Sequence, residues 1–159
     1  MKTTTGLPTR PPRAARRVSS SAASDASKSK NPDHPLTYWP GGYADTSPYY
    51  GAAFLFTNYF LGRFGEKATQ ALVDHPSNGM ASVSEVLRKI DAKNPQTGEV
   101  LTAEDVFLDW TIASYLNNPR VDDGHYAYTQ YENMPRTSET ETIEECPTDM
   151  QTYDVNQFG

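Results

Sequence analysis

Several kinds of residue are scarce in this chain of 159, and each scarcity closes off a class of protein. There is one cysteine, Cys146, so no disulfide can form within the chain and no cysteine metal site can be built from it. The three histidines, His34, His75 and His125, are scattered, and no His-x-x-x-His pair places two metal ligands on one helical face. No apolar run reaches the roughly 18 residues of a membrane span, because the most apolar stretch, 47–65, is interrupted by Thr57, Asn58 and Arg63. The N-terminus has no apolar stretch of the kind a secretory signal needs. Core formers are lean as well: 36% of the residues are hydrophobic with tyrosine counted.

What is present is unevenly distributed. Of 12 prolines, seven (Pro8, Pro11, Pro12, Pro32, Pro35, Pro40 and Pro48) precede or open the first helical pattern. Residues 1–30 hold seven basic side chains against Asp25, a net +6, and the remainder holds seven basic against nineteen acidic, a net −12. The overall −6 is thus an average of two unlike parts. An acidic body argues against nucleic acid as its partner, since phosphate binding needs a basic face. The basic arm (Arg10, Arg13, Arg16, Arg17) lacks the interleaved aromatics of a single-strand binder and the apolar spacing of a membrane-surface helix. Residues 1–33 carry too little apolar surface to offset the entropy of ordering, so disorder is expected there. Three readings stay open for this arm: a flexible basic tail, a stretch outside the native reading frame, and an organelle transit peptide.

From Asn31 to Asp45 the chain reads as an irregular lead-in, punctuated by Pro32, Pro35, Pro40 and Gly41-Gly42, with Tyr38 and Trp39 expected to anchor it to the core. A first helix is expected over 48–64, capped by Ser47 with Pro48 at its first position, and a second over 66–74, ended by Pro76. Ser82-Val83-Ser84-Glu85 reads as a capping box for a third helix with apolar positions at 83, 86, 87 and 90. Asn94 to Gly98 is a turn, and Val100-Leu101 is expected to pack without forming a strand. Thr102, with Asp105 three residues on, caps a fourth helix whose inner face is Val106, Phe107, Trp110 and Ala113, until Asn117-Asn118-Pro119 ends it. Beyond it Tyr126, Tyr128 and Tyr131 alternate, and residues 153–158 alternate again like the first strand of a further domain.

The expected fold class is therefore mainly α: a subdomain of about four helices over 34–131, between a disordered basic arm (1–33) and an irregular, β-leaning tail (132–159) that links to a following β-rich domain. The segment 47–65 is apolar on most of its circumference. A short body offers it few partners, so part of its cover is expected to lie outside the chain.

Tyr50-Gly51-Ala52-Ala53-Phe54-Leu55-Phe56, Tyr59-Phe60, Arg63-Phe64-Gly65, Ala71-Leu72-Val73, Asn78-Gly79, Asp105-Val106-Phe107, Asp109-Trp110 and Tyr115-Leu116-Asn117 carry a resemblance. In that order and spacing, across about 31–131, the chain resembles the helical C-terminal half of secreted bacterial zinc metallopeptidases. These are HExxH enzymes of gluzincin type, related to hyicolysin and loosely to immune inhibitor A-like peptidases. The resemblance implies peptide-bond hydrolysis by zinc-activated water in a complete enzyme. There the HExxH helix supplies two histidine ligands and the general base, and a later glutamate is the third ligand. All of these would precede Asn31. This chain lacks HExxH, so the resemblance implies an inactive fragment that binds no cofactor itself and whose partners are the missing catalytic half and a peptide substrate. It also implies a secreted parent, and leaves the chain's own localisation unknown.

Within that family likeness Tyr50 is the one candidate catalytic residue, an oxyanion stabiliser in the complete enzyme, set against the plain reading of Tyr49 and Tyr50 as amphipathic core-edge residues. No metal ligand is assigned. His75 is expected to serve a helix C-terminus, and His34 and His125 to sit in surface turns. Glu66, Glu85, Glu104 and Asp105 fall where helix dipoles favour carboxylates. Asp122-Asp123-Gly124 reads as a turn, since the ligand pattern of a calcium loop does not follow it. The competing function is a noncatalytic helical protein-interaction module with a basic disordered tail.

Overall fold

Residues 34–42, 46–130, 134, 137 and 158 are described in a computed structural model of the chain. The expectations placed on 1–33, and on most of 132–159, lie outside the described residues. The described part is mainly helical, with three helices: α1 Ser47–Val73, α2 Met80–Lys89 and α3 Ala103–Leu116. The first two predicted helices are both present within α1 and meet at a kink at Gly65, whose φ of 81° and ψ of 176° are non-helical. That conformation belongs to a region only glycine occupies without strain, so Gly65 ends the first helical stretch of α1 and turns the chain into the second. The start of α1 also differs by one residue from expectation. Thr46 is the N-cap, makes no side-chain capping bond, and leaves Ser47 and Pro48 as the first helical residues.

α2 begins earlier than its expected capping box. Its N-cap is Gly79, at φ 68°, and Ser82 Oγ donates back to the Gly79 carbonyl (2.7 Å) from within the first turn. Ser84 Oγ instead accepts from Ala103 N–H (3.0 Å), joining α2 to the start of α3. Ser82, the cap the local pattern expected, thus lies inside the first turn and donates instead of accepting. At α3 the pattern holds: Thr102 and Asp105 form a reciprocal capping box, Glu104 and Asp105 occupy the first turn, and Asn117 closes the helix in the left-handed conformation. Between α2 and α3, Asn94 closes its turn by accepting from Gly98 N–H (2.8 Å), and Lys93 pairs with Val100 in a single antiparallel bridge. Leu101 is buried beside it.

The core is one cluster built from Leu55, Phe56, Tyr59 and Phe60 of α1, Val83, Val86 and Leu87 of α2, and Val106 and Trp110 of α3. Phe54 and Phe107 pack against it half-buried. The Phe56 and Trp110 rings meet edge-on, with centroids 5.5 Å apart. The expectation that the 47–65 segment needs outside cover is corrected here: its buried face already runs from Pro48 to Phe60, and between 48 and 64 the exposed positions are a narrow stripe of Tyr50, Ala53 and Thr57. The missing partners are supplied by residues outside the three helices. Tyr128 and Met134 enter the core, and Thr137 N–H donates to the Ser114 carbonyl (2.9 Å). Leu36 packs on the core and its N–H donates to the Phe158 carbonyl (2.7 Å), while the Phe158 ring sits edge-on to Phe107. Tyr38 and Trp39 do not anchor the lead-in as expected, since both are at least half exposed and pack on Tyr49 and Tyr50 at the surface.

Candidate functional site

The segment 118–130 runs without helix or strand and is fixed to α3 by polar bonds. Asn118 N–H donates to the Tyr126 carbonyl (3.1 Å), and Tyr128 N–H donates to Asn117 Oδ1 (3.2 Å). Trp110 Nε1–H donates to the Tyr128 hydroxyl (2.8 Å), and Ser114 Oγ lies 2.8 Å from the same oxygen. Burial pushes the Tyr128 phenol up to about 12, with the bonds to Ser114 and Trp110 opposing it. This network holds the segment against α3 and so presents His125 to the acidic side of the body.

His125 is buried, in contrast to its expected place in a surface turn. Its backbone N–H donates to Asp123 Oδ1 (3.0 Å), and its ring Nδ1 bonds the same oxygen. On the other side Nε2 faces Asp109 Oδ1 of α3 at 3.8 Å. Arg63 of α1 reaches across, its Nη1 donating to Asp123 Oδ2 at 3.3 Å. The turn at Asp122-Asp123-Gly124 is therefore a turn as expected, with a role that spacing alone did not reveal: it carries one carboxylate that ties α1 and the loop through Arg63 and His125. Desolvation would raise Asp123, but its hydrogen bonds with His125 and the Arg63 charge outweigh that and hold it down at about 2. Asp109 moves the other way, raised by burial against the pull of His125 and Arg63.

Beside this cluster lies a cleft of about 120 Å³ lined by Tyr59, Arg63, Asp123, His125 and Thr129, with Gly62 and Gly124 keeping its walls low. A Cβ on Gly62 would come within 2.6 Å of Thr129 Oγ1, so the bare backbone at 62 is what admits the loop. Tyr59 is 2% exposed, and its hydroxyl is a buried side-chain polar atom without a hydrogen-bond partner among the described residues. Its phenol is raised first by burial and then by the nearby Asp109 charge.

The sequence-derived candidates do not converge on this cleft. Tyr50 lies in the first turns of α1, 64% exposed, with its ring edge-on to Trp39 at a centroid distance of 4.6 Å. Nine residues separate it from Tyr59, about 13.5 Å along a helix and half a rotation around it. His34 packs its ring on Tyr49. His75 does not cap α1: its Nδ1 accepts from Ser77 N–H (3.1 Å), so Nε2 carries the proton facing Glu85 Oε2 at 3.1 Å and links α1 to α2. Glu85 accordingly sits in mid-helix and not in a first turn. Glu66 directly follows the break at Gly65, with Gln70 Nε2 donating to it at 3.3 Å. Among the described residues no three His, Cys, Asp or Glu side chains are grouped to hold a metal, and no helix is long and apolar enough to cross a membrane.

The cluster of Arg63, Asp109, Asp123 and His125 was missed because its members come from α1, α3 and a turn, 46 residues apart at the nearest helix-to-helix step. The one local signal was Asp123-Gly124-His125, where an aspartate two residues before a histidine can accept from its backbone. Comparison with protein-family models, curated proteins and solved structures finds no match to this chain.

Proposed function

We propose that this chain is the helical subdomain of a zinc-dependent metallopeptidase, inactive by itself, which seats a metal-bearing half against the N-terminal end of α1. The observation that carries the reading is the aromatic edge at that end: Tyr38, Trp39 and Tyr50 are each at least half exposed and in ring contact with Tyr49 or with one another. Three half-exposed rings leave roughly 200–400 Å² of aromatic surface, comparable to the largest apolar patch of an ordinary monomer, which is often functional. The family resemblance of 31–131 supplies the identity of the partner. In the complete enzyme the zinc and its ligands belong to the upstream half, and the metal supplies activated water for peptide hydrolysis. Tyr50 then stands at the junction, where a hydroxyl can donate to a developing oxyanion.

The coding DNA upstream of Asn31 tests this directly. An HExxH string in any frame, within about the length of one domain, 100 codons, is the expected result. In a chain joining that half to residues 31–131, Tyr50→Phe should lower kcat by about 10²–10³ with zinc content unchanged. Absence of HExxH would favour the second reading, a noncatalytic interaction module. The same aromatic edge supports it, together with the net +6 of residues 1–30 against the acidic remainder.

A further inference from the structure

We propose that the aromatic edge at the start of α1 is a docking surface for a polyproline II segment, and that its occupant in this chain is the chain's own residues 7–13. The peptidase reading gives the same edge a different partner. Docking of the arm needs neither zinc nor a second half, so either reading can fail without the other.

The occupant is written in the sequence, since residues 7–13 lie outside the described residues. Leu7-Pro8-Thr9-Arg10-Pro11-Pro12-Arg13 holds the P-x-x-P pattern at Pro8 and Pro11, with a further proline between Pro11 and Arg13. Proline fixes φ near the polyproline II value, and three residues per turn put Pro8 and Pro11 on one edge, about 9 Å apart. That conformation has no internal hydrogen bonds and needs no core, so a stretch with as little apolar surface as 1–33 can still present it. It is set before binding, and docking therefore costs little ordering entropy.

The surface has the chemistry such a segment needs. Grooves that take P-x-x-P segments are lined by aromatic rings, and Tyr38, Trp39 and Tyr50 are each at least half exposed. Trp39 and Tyr50 meet at 89° with centroids 4.6 Å apart, so the face of one ring and the edge of the other bound a corner into which a pyrrolidine ring can pack. Tyr38 and Trp39 lie 6.0 and 6.1 Å from Tyr49, so the roughly 9 Å between Pro8 and Pro11 is on the scale of two ring-to-ring steps. The Trp39 indole N–H and the phenol hydroxyls are donors suited to polyproline II carbonyls, and Arg13 can lie on a ring face as a cation–π contact. Position and charge favour the chain's own arm over an external ligand. The His34 ring, at the start of the described residues, packs on Tyr49 at 4.8 Å, so the arm leaves the body beside the edge. The 20 residues from Ala14 to Asp33 span about 25 Å as a flexible chain, which holds the segment near the edge at an effective concentration in the millimolar range. The net +6 of residues 1–30 is also drawn to a remainder of net −12.

The test is acrylamide quenching of tryptophan fluorescence in the full chain, because Trp110 is buried and the quenchable signal belongs to Trp39. Replacing Pro8, Pro11 and Arg13 together by alanine should raise the quenching constant by about twofold, as when a half-exposed ring regains a face that docking covered, with the thermal midpoint unchanged. A peptide of residues 6–14 added to that variant should lower the constant again, saturably. The same peptide with Pro8→Ala and Pro11→Ala, its charges intact, should not. Adding Tyr38→Ala to the variant should weaken the peptide's binding by about fivefold or more, the cost of truncating an aromatic anchor. An unchanged quenching constant in the triple variant would leave the edge open and overturn the proposal. Equal shielding by the proline-free peptide would reduce the attraction to charge and overturn it as well. A constant that falls as the concentration of the unsubstituted protein rises would give the edge to a second copy's arm and overturn the intramolecular assignment. A midpoint lowered in the triple variant would place the arm in the core and overturn docking at the surface.

Discussion

The two tryptophans of the chain make nearly the same contact in opposite surroundings. Trp110 meets Phe56 edge-on at 90°, and Trp39 meets Tyr50 edge-on at 89°. Trp110 is 1% exposed and its indole N–H donates to Tyr128, whereas Trp39 is 50% exposed. Ring geometry is therefore no guide to what an aromatic pair contributes. The inner pair stabilises the fold because burial removes its whole surface from water, and the outer pair keeps half of that surface for something else.

The largest expected break in this comparison is Trp110→Ala. It should destabilise by about 3–5 kcal/mol in chemical denaturation, a large part of the ~5–15 kcal/mol typical of a domain. A loss under about 1 kcal/mol would show that the α1–α3 contact is not the centre of the core. Next is Tyr128→Phe, which keeps the ring but deprives Trp110 Nε1 and Ser114 Oγ of their shared partner, and should cost about 1–3 kcal/mol. Gly65→Ala, forcing a Cβ onto φ 81°, should cost a similar ~1–3 kcal/mol although nothing crowds the site, which separates backbone strain from packing.

A smaller effect comes from pH. Asp123, held near 2 in the folded chain, contributes stability that is present above the ordinary aspartate range and lost as pH falls from about 4 through 2. Because its side chain is 45% exposed, solvent screening limits this to about 1 kcal/mol or less. Asp109, raised by burial, acts with the opposite sign: its contribution is present below its unfolded value and is lost as pH rises through its folded one. Asp123→Asn should therefore flatten the acid limb of the stability curve between pH 2 and 4. Trp39→Ala should be the mildest, within about 0.5 kcal/mol, while removing the tryptophan signal that acrylamide quenches. A stability loss near that of Trp110→Ala would place the outer rings in the core and remove the reason to read them as an interface.

Local rules were enough where a feature is closed within one turn of chain. The capping box at Thr102 and Asp105, the stop at Asn117 and the turn at Asn94 to Gly98 all use partners three or four residues away. They were insufficient at Ser84, whose hydroxyl went to Ala103, 19 residues on, and at Trp39, which pattern placed at the core and the fold left outside. Gly65 was legible as the break between two helical stretches, because the positive φ it adopts is one that glycine takes without strain.

By itself, the sequence determined that this body is helical, acidic and centred on the apolar faces of 48–60 and 106–113, since periodicity and composition act through neighbours along the chain. Only the tertiary structure decided that the apolar face of α1 finds cover within the chain, from residues such as Leu36, Tyr128 and Met134. It also decided that His125, an ordinary turn residue in sequence, is buried between Asp109 and Asp123 at a cleft that Tyr59 also lines. The physical reason is common to both. Burial and ion pairing depend on distances across the fold, and side chains contributed by α1, α3 and an irregular loop have no spacing in the sequence that announces their meeting.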